Sequence, residues 1–295
     1  MPPVSPEILK QVKGIELRTR GLVGTLFAGE YRSVFRGQGM EFAEVRAYEQ
    51  GDDFRSIDWN VSARLASPYV KTFTEERELT LMLLVDQSGS TRFGEPRTKA
   101  SLAVEVAAVL ALAAAHQNDR VGALLFADEV ERVIPPRKGR RHALRVIRDL
   151  VAFEPAGKRT NLAASLSYAS RLLRHRSIVV ILSDFIAEAW ERPLRRLAAR
   201  HEVVAITVDD PREHELPESG WIEMKDAETG QRILVDTGSR QVRERVGRRA
   251  AQRLEERSRV LAGAGADQVS LETGVPYALP LRRAFARRAR RIHRG

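Results

Sequence analysis

The chain has 295 residues, 43% of them apolar, enough to bury a substantial core in one large domain with or without an attached subdomain. It contains no cysteine, so disulfides, thiolate zinc centres and cysteine nucleophiles are excluded and any chemistry falls to oxygen and nitrogen. The net charge of +10 is local: residues 282–295 hold seven arginines and no acid, leaving a body at +3 that gives no case for a broad nucleic-acid groove.

The first six residues lack the charged-then-apolar pattern of a secretory signal, which makes the cytoplasm the expected compartment. Residues 1 to about 75 are rich in glycine, arginine and acids, with little helical period after Lys13. They read as a small irregular amino-terminal subdomain, taken as 1–76. Its densest segment runs from Arg46 to Trp59 with charges alternating in sign. Gly51-Asp52 suits a turn, Asp52 or Asp53 can cap a short helix, and Arg46, Arg55 and Arg64 can be pinned by the carboxylates. A structural role is therefore expected, with a second cation site on Asp52, Asp53 and Asp58 as the functional alternative.

From residue 79 onward apolar runs alternate with helical patterns, as an open α/β sheet requires. Strands are expected at 79–85, 121–126, 131–134, 178–182, 203–208 and 268–271. Helices are expected at 97–116, 139–150, 162–173, 187–199 and 241–261. The apolar stretch 102–115 is too short for a bilayer core of ~30 Å and reads as a buried helix. The second and third strands are joined too tightly for a parallel crossover, which makes them an antiparallel hairpin at a sheet edge. Another hairpin is expected at 221–225 and 232–236, turning through Glu228-Thr229-Gly230, as an insertion in the 77–295 domain. In the helix at 241–261, Val242, Val246, Ala250 and Leu254 share one face, and its charges read as solvated. The fold class is thus α/β: a doubly wound, mostly parallel sheet flanked by helices.

Asp86-Gln87-Ser88-Gly89-Ser90 stands where the first apolar strand ends, so Asp86, Ser88 and Ser90 face the crevice at the carboxyl end of the sheet. Alone, such hydroxyls are ordinary helix caps. Two further loops fall at the same edge: Thr160 opens the helix after the long crossover, and Asp184 follows the strand at 178–182. Five hard oxygen donors would converge there, a set suited to magnesium or manganese rather than zinc. No histidine lies in the three loops, and His116, His142, His175, His201, His214 and His293 read as helix-end or surface residues.

Asp-x-Ser-x-Ser followed by a threonine and an aspartate resembles the metal-ion-dependent adhesion site of the von Willebrand factor A fold, over about residues 77–275. The resemblance implies Mg²⁺, with Mn²⁺ as the alternative, bound by Ser88, Ser90 and Thr160, while Asp86 and Asp184 act largely through water. Thr91 departs from the methionine often found there. The Arg46 to Trp59 segment is similar to the signature of the bacterial family called domain of unknown function 58. That resemblance implies a non-enzymatic partner of a MoxR-type AAA+ ATPase in an assembly or maturation system.

An open magnesium position attracts a partner's carboxylate, so the first expectation is a metal-dependent protein-binding module. A metal-assisted hydrolase or nuclease using Asp86 and Asp184 is the second, and a metal-free scaffold the third. At the carboxyl end, Leu281, Phe285, Ala289 and Ile292 form one stripe among the arginines. This basic helix either packs on its own domain or meets an acidic protein, anionic lipid or nucleic acid.

Overall fold

The computed structural model describes residues 6–27, 41–65, 67–74, 79–94 and 96–292. They form two compact units, one of Arg36–Leu79 and one containing the rest of the chain.

In the small unit, β1 (Glu41–Ala47) pairs antiparallel with β2 (Tyr69–Thr74), so the region read as irregular holds a two-stranded sheet. Between them α2 (Trp59–Leu65) starts at Asp58, whose Oδ1 accepts from the amides of Asn60 and Val61 at 3.0 and 3.2 Å. Asp53 caps the short turn Phe54–Ser56, and Arg46 forks onto both oxygens of Asp52 at 2.9 and 2.7 Å. All three aspartates are thus engaged in local structure.

In the large unit, α1 (Pro6–Phe27) extends well past Lys13, correcting the expectation of little helix beyond that point. Val12, Ile15 and Thr19 are its buried stripe. Thr19 disguises the period, because its hydroxyl is satisfied by the Ile15 carbonyl at 2.8 Å and the residue is buried like an apolar one.

The main sheet has six strands in the order β10-β7-β6-β3-β4-β5. These are β3 (Thr80–Asp86), β4 (Arg120–Phe126), β5 (Val130–Arg137), β6 (Ile178–Ser183), β7 (Glu202–Asp209) and β10 (Asp267–Glu272). All neighbours are parallel except β4 and β5, the antiparallel edge hairpin expected from its short connection. Leu81 to Val85 and Val179 to Leu182 are fully buried, the continuous apolar pattern of strands covered on both faces. On one face Met82, Leu84, Val179 and Ile181 pack with α5 (Leu162–Leu172), α6 (Glu191–Ala198) and Leu261 of α7 (Arg240–Gly263).

The other layer contains α3 (Lys99–His116), α4 (Arg140–Val151) and α1, with α8 (Ala278–Ile292) beside β10. Helix α3 is long and apolar enough to cross a membrane by length and composition, but two-thirds of that span is buried inside the unit. Leu281 and Phe285 of α8 are buried; the side chains of Ala289 and Ile292 lie outside the described residues. The second hairpin is β8 (Trp221–Lys225) with β9 (Arg232–Asp236), a separate two-stranded sheet with Trp221, Ile233 and Leu234 exposed.

Candidate metal site

From β3 the chain moves to β4 on one flank and later returns as β6 on the other. Connections diverging from neighbouring strands open a crevice at their carboxyl ends. Asp86 ends β3, Ser183 ends β6, and the Ser183 hydroxyl donates to Asp86 Oδ2 at 2.6 Å. Asp86 Oδ1 accepts from the Ser88 amide at 2.9 Å. Burial, reinforced by the nearby Asp184 charge, pushes the Asp86 carboxyl up to about 7 against the pull of these hydrogen bonds.

The site hydroxyls do not act as caps. Ser88 precedes the short helix Gly89–Arg92 without capping it, and its Oγ instead lies 3.1 Å from Ser90 Oγ. Asn161, not Thr160, caps α5, through Oδ1 to the Ala164 amide at 3.0 Å. The Thr160 hydroxyl is left to donate to Glu228 Oε1 at 2.6 Å. The Thr160 loop meets the Asp86 loop through the Gly89 amide, which donates to the Lys158 carbonyl at 2.6 Å. The three loops therefore touch, although among the described residues no direct hydrogen bond joins Thr160 to Asp86 or Asp184.

Asp184 is buried, with Oδ1 accepting from the Ile186 amide at 3.0 Å and Oδ2 from Lys99 Nζ at 2.8 Å. Sequence reading missed Lys99, which opens α3 yet is fully buried and also donates to Glu213 Oε1 at 2.6 Å. Burial works to lower the Lys99 ammonium's affinity for its proton, but the Asp184 and Glu213 carboxylates together hold it above its ordinary value. Arg257 overturns the expectation that the charges of α7 are all solvated. It is buried, forks onto Asp209 at 2.8 and 2.7 Å and donates to the Asp184 carbonyl at 2.8 Å. Its only sequence signal is its place three turns beyond Val246, near the apolar face of α7.

This largely buried network contains the carboxylates Asp86, Asp184, Asp209 and Glu213 against the cations Lys99 and Arg257. With all groups ionised, two negative charges remain. Beside it a groove of about 940 Å³ is lined by Thr160, Asp184, Trp190, His214, Glu228 and Arg253, among others. Two non-glycine residues of its wall, Phe185 and Ala189, hold positive φ of 57° and 56°. Phe185 is fixed there by an edge-on contact with Trp190. His214 has both ring nitrogens buried without a hydrogen-bond partner, and His201 is buried too, its affinity for a proton lowered by burial and by Arg200. Neither is a simple surface histidine.

The family model described as "Protein of unknown function DUF58" matches residues 44–256. The chain belongs to the DUF58 family. The matched part of this DUF58 chain contains the Arg46 to Trp59 segment and all three site loops. Uncharacterized protein Mb1516 of Mycobacterium bovis is 35% identical over 291 residues, 97% of this chain and 91% of its own length. Among solved structures, the conserved hypothetical protein BatB from Bacteroides thetaiotaomicron aligns over 72% of the DUF58 chain and 99% of its own, with 14% identity and a TM-score of 0.47. The von Willebrand factor type A protein from Catenulispora acidiphila aligns over 75% and 44%, with 10% identity and a TM-score of 0.41.

Proposed function

We propose that this chain is a metal-dependent protein-binding module that takes a carboxylate of a protein partner at a Mg²⁺ site and acts with a MoxR-type AAA+ ATPase. Ser88, Ser90 and Thr160 would hold the ion, with Asp86 and Asp184 acting largely through water; Mn²⁺ would serve in its place. Bound there, the ion supplies a Lewis-acidic position for an external oxygen ligand.

The observation that carries the reading is the convergence of hydroxyls not used as helix caps on a buried, acidic crevice. Two oxygens at right angles on one ion at ~2.1 Å stand about 3.0 Å apart. Ser88 Oγ and Ser90 Oγ are separated by 3.1 Å, and neither is spent on capping. Four carboxylates against two cations leave the network on the acidic side, which suits a divalent cation. A metal-free scaffold is the second reading, favoured by the protein partners that Asp184 and Thr160 already have in Lys99 and Glu228.

Calorimetric titration with Mg²⁺ and Mn²⁺ separates the two. The intact protein is expected to bind one ion, and Asp86→Ala to abolish binding while the circular dichroism spectrum is unchanged. Capture of the MoxR-type ATPase should then be lost on chelation; capture that persists in chelator favours the scaffold.

A further inference from the structure

Glu228 belongs to the turn of the β8–β9 hairpin, yet its carboxylate lies at the site, 2.6 Å from the Thr160 hydroxyl and 68 residues away in sequence. The turn is built to present it. Asp226 Oδ1 accepts from the amides of Glu228 and Thr229 at 3.0 and 2.6 Å, the Gly230 amide donates to the Asp226 carbonyl at 2.9 Å, and Gly230 holds φ at +74°. The tip also presses on the Asp86 loop. A Cβ added to Gly89 would stand 2.5 Å from the Ala227 carbonyl oxygen, so no larger residue fits between the loop and the hairpin.

The strands behind this tip are exposed. Trp221, Ile233 and Leu234 are each more than half exposed, so little apolar burial holds the hairpin down along its length. Its base is pinned where the Thr237 amide and hydroxyl both donate to the Gly220 carbonyl at 2.7 Å, and Gly220 has φ +72°. A preformed tip, a weakly covered shaft and a fixed base describe an arm that can lift.

We propose that Glu228 is an internal carboxylate ligand of the cation site, occupying the place that the partner's acid takes, so that the β8–β9 arm must lift before an acidic segment of a partner can bind. This rests on the metal-binding reading above. The arm thereby sets a threshold, since an external carboxylate has to displace one held at high effective concentration.

The intact protein is titrated with Mn²⁺, following free ion by electron paramagnetic resonance and bound ion by water-proton relaxation. Wild type, Glu228→Ala, Glu228→Gln and Asp86→Ala are compared, with acetate as the external carboxylate. Loss of the Glu228 charge is expected to weaken Mn²⁺ binding by at least about tenfold, the lower end of the loss seen when even a hydrogen-bond partner of a metal ligand is removed. It should also raise relaxation enhancement, as water replaces the carboxylate, and let acetate suppress it. Glu228→Gln keeps the turn and should reproduce the Glu228→Ala result, which separates loss of the carboxylate from any unfolding of the arm. Weaker binding with unchanged relaxation and no acetate response would overturn the proposal by reducing Glu228 to a support for Thr160. Equal binding, relaxation and acetate response in wild type and both Glu228 variants would overturn it too. No bound Mn²⁺ in any variant would overturn the metal site itself, and this inference with it.

Discussion

The carboxylates at this crevice differ in what satisfies them, and that difference decides what a substitution does. Among the described residues Lys99 is the one cation hydrogen-bonded to the Asp184 carboxylate, and it bridges to Glu213 as well. Lys99→Met removes the ammonium while leaving a buried acid behind, so unfolding free energy should fall by about 3 to 5 kcal/mol in a urea titration. Pairing it with Asp184→Asn should recover part of that loss, as expected of groups that share one network. Asp86, Ser88, Ser90, Thr160 and Asp184 were legible because each sits at a strand end or helix start whose position follows from the apolar period. Lys99 was not, because its partners are 85 and 114 residues away and a lysine opening a helix ordinarily points to water.

Strands and helices beyond residue 79 were readable to within a few residues, because each central strand is a continuous apolar run, the surface helices have a clear period, and α3 is an apolar stretch of helical length. The amino-terminal region hid its elements for physical reasons: α1 buries a threonine on its inner face, and β1 pairs with β2 across an intervening helix. The hairpin β8–β9 was legible as a hairpin but not as a neighbour of the site, since no pattern in the strands says where a turn comes to rest. Gly89→Ala tests that placement. A methyl group facing the Ala227 and Lys158 carbonyls should cost about 1 to 3 kcal/mol and displace the turn. Limited trypsin digestion should then cut faster at Lys225 and Arg232 than in wild type; unchanged cleavage would mean the arm is held elsewhere.

Across the molecule, acid resistance is set in part where the sheet's outer strands end. Asp210, just beyond β7, is buried and accepts from Arg212 and from the Thr273 hydroxyl that follows β10. Arg212 foremost, with Thr273 assisting against the cost of burial, holds its carboxyl down to about 2 from 3.8. A lowered carboxylate stabilises the fold above its unfolded value, and that contribution disappears as pH falls through the folded one. Asp210→Asn should therefore lower stability at pH 7 by about 1 to 2 kcal/mol and flatten the loss between pH 4 and 2, measured by urea unfolding at each pH. The order of the chain adds a temporal consequence. Helix α1 packs on α3 and α4, but α4 ends at Val151, 124 residues after Phe27. At ~5 to 20 residues per second of synthesis, roughly 6 to 25 s pass before both surfaces exist. Through that interval helix α1, with Val12 and Ile15 on its inner side, waits on the growing chain for its permanent neighbours.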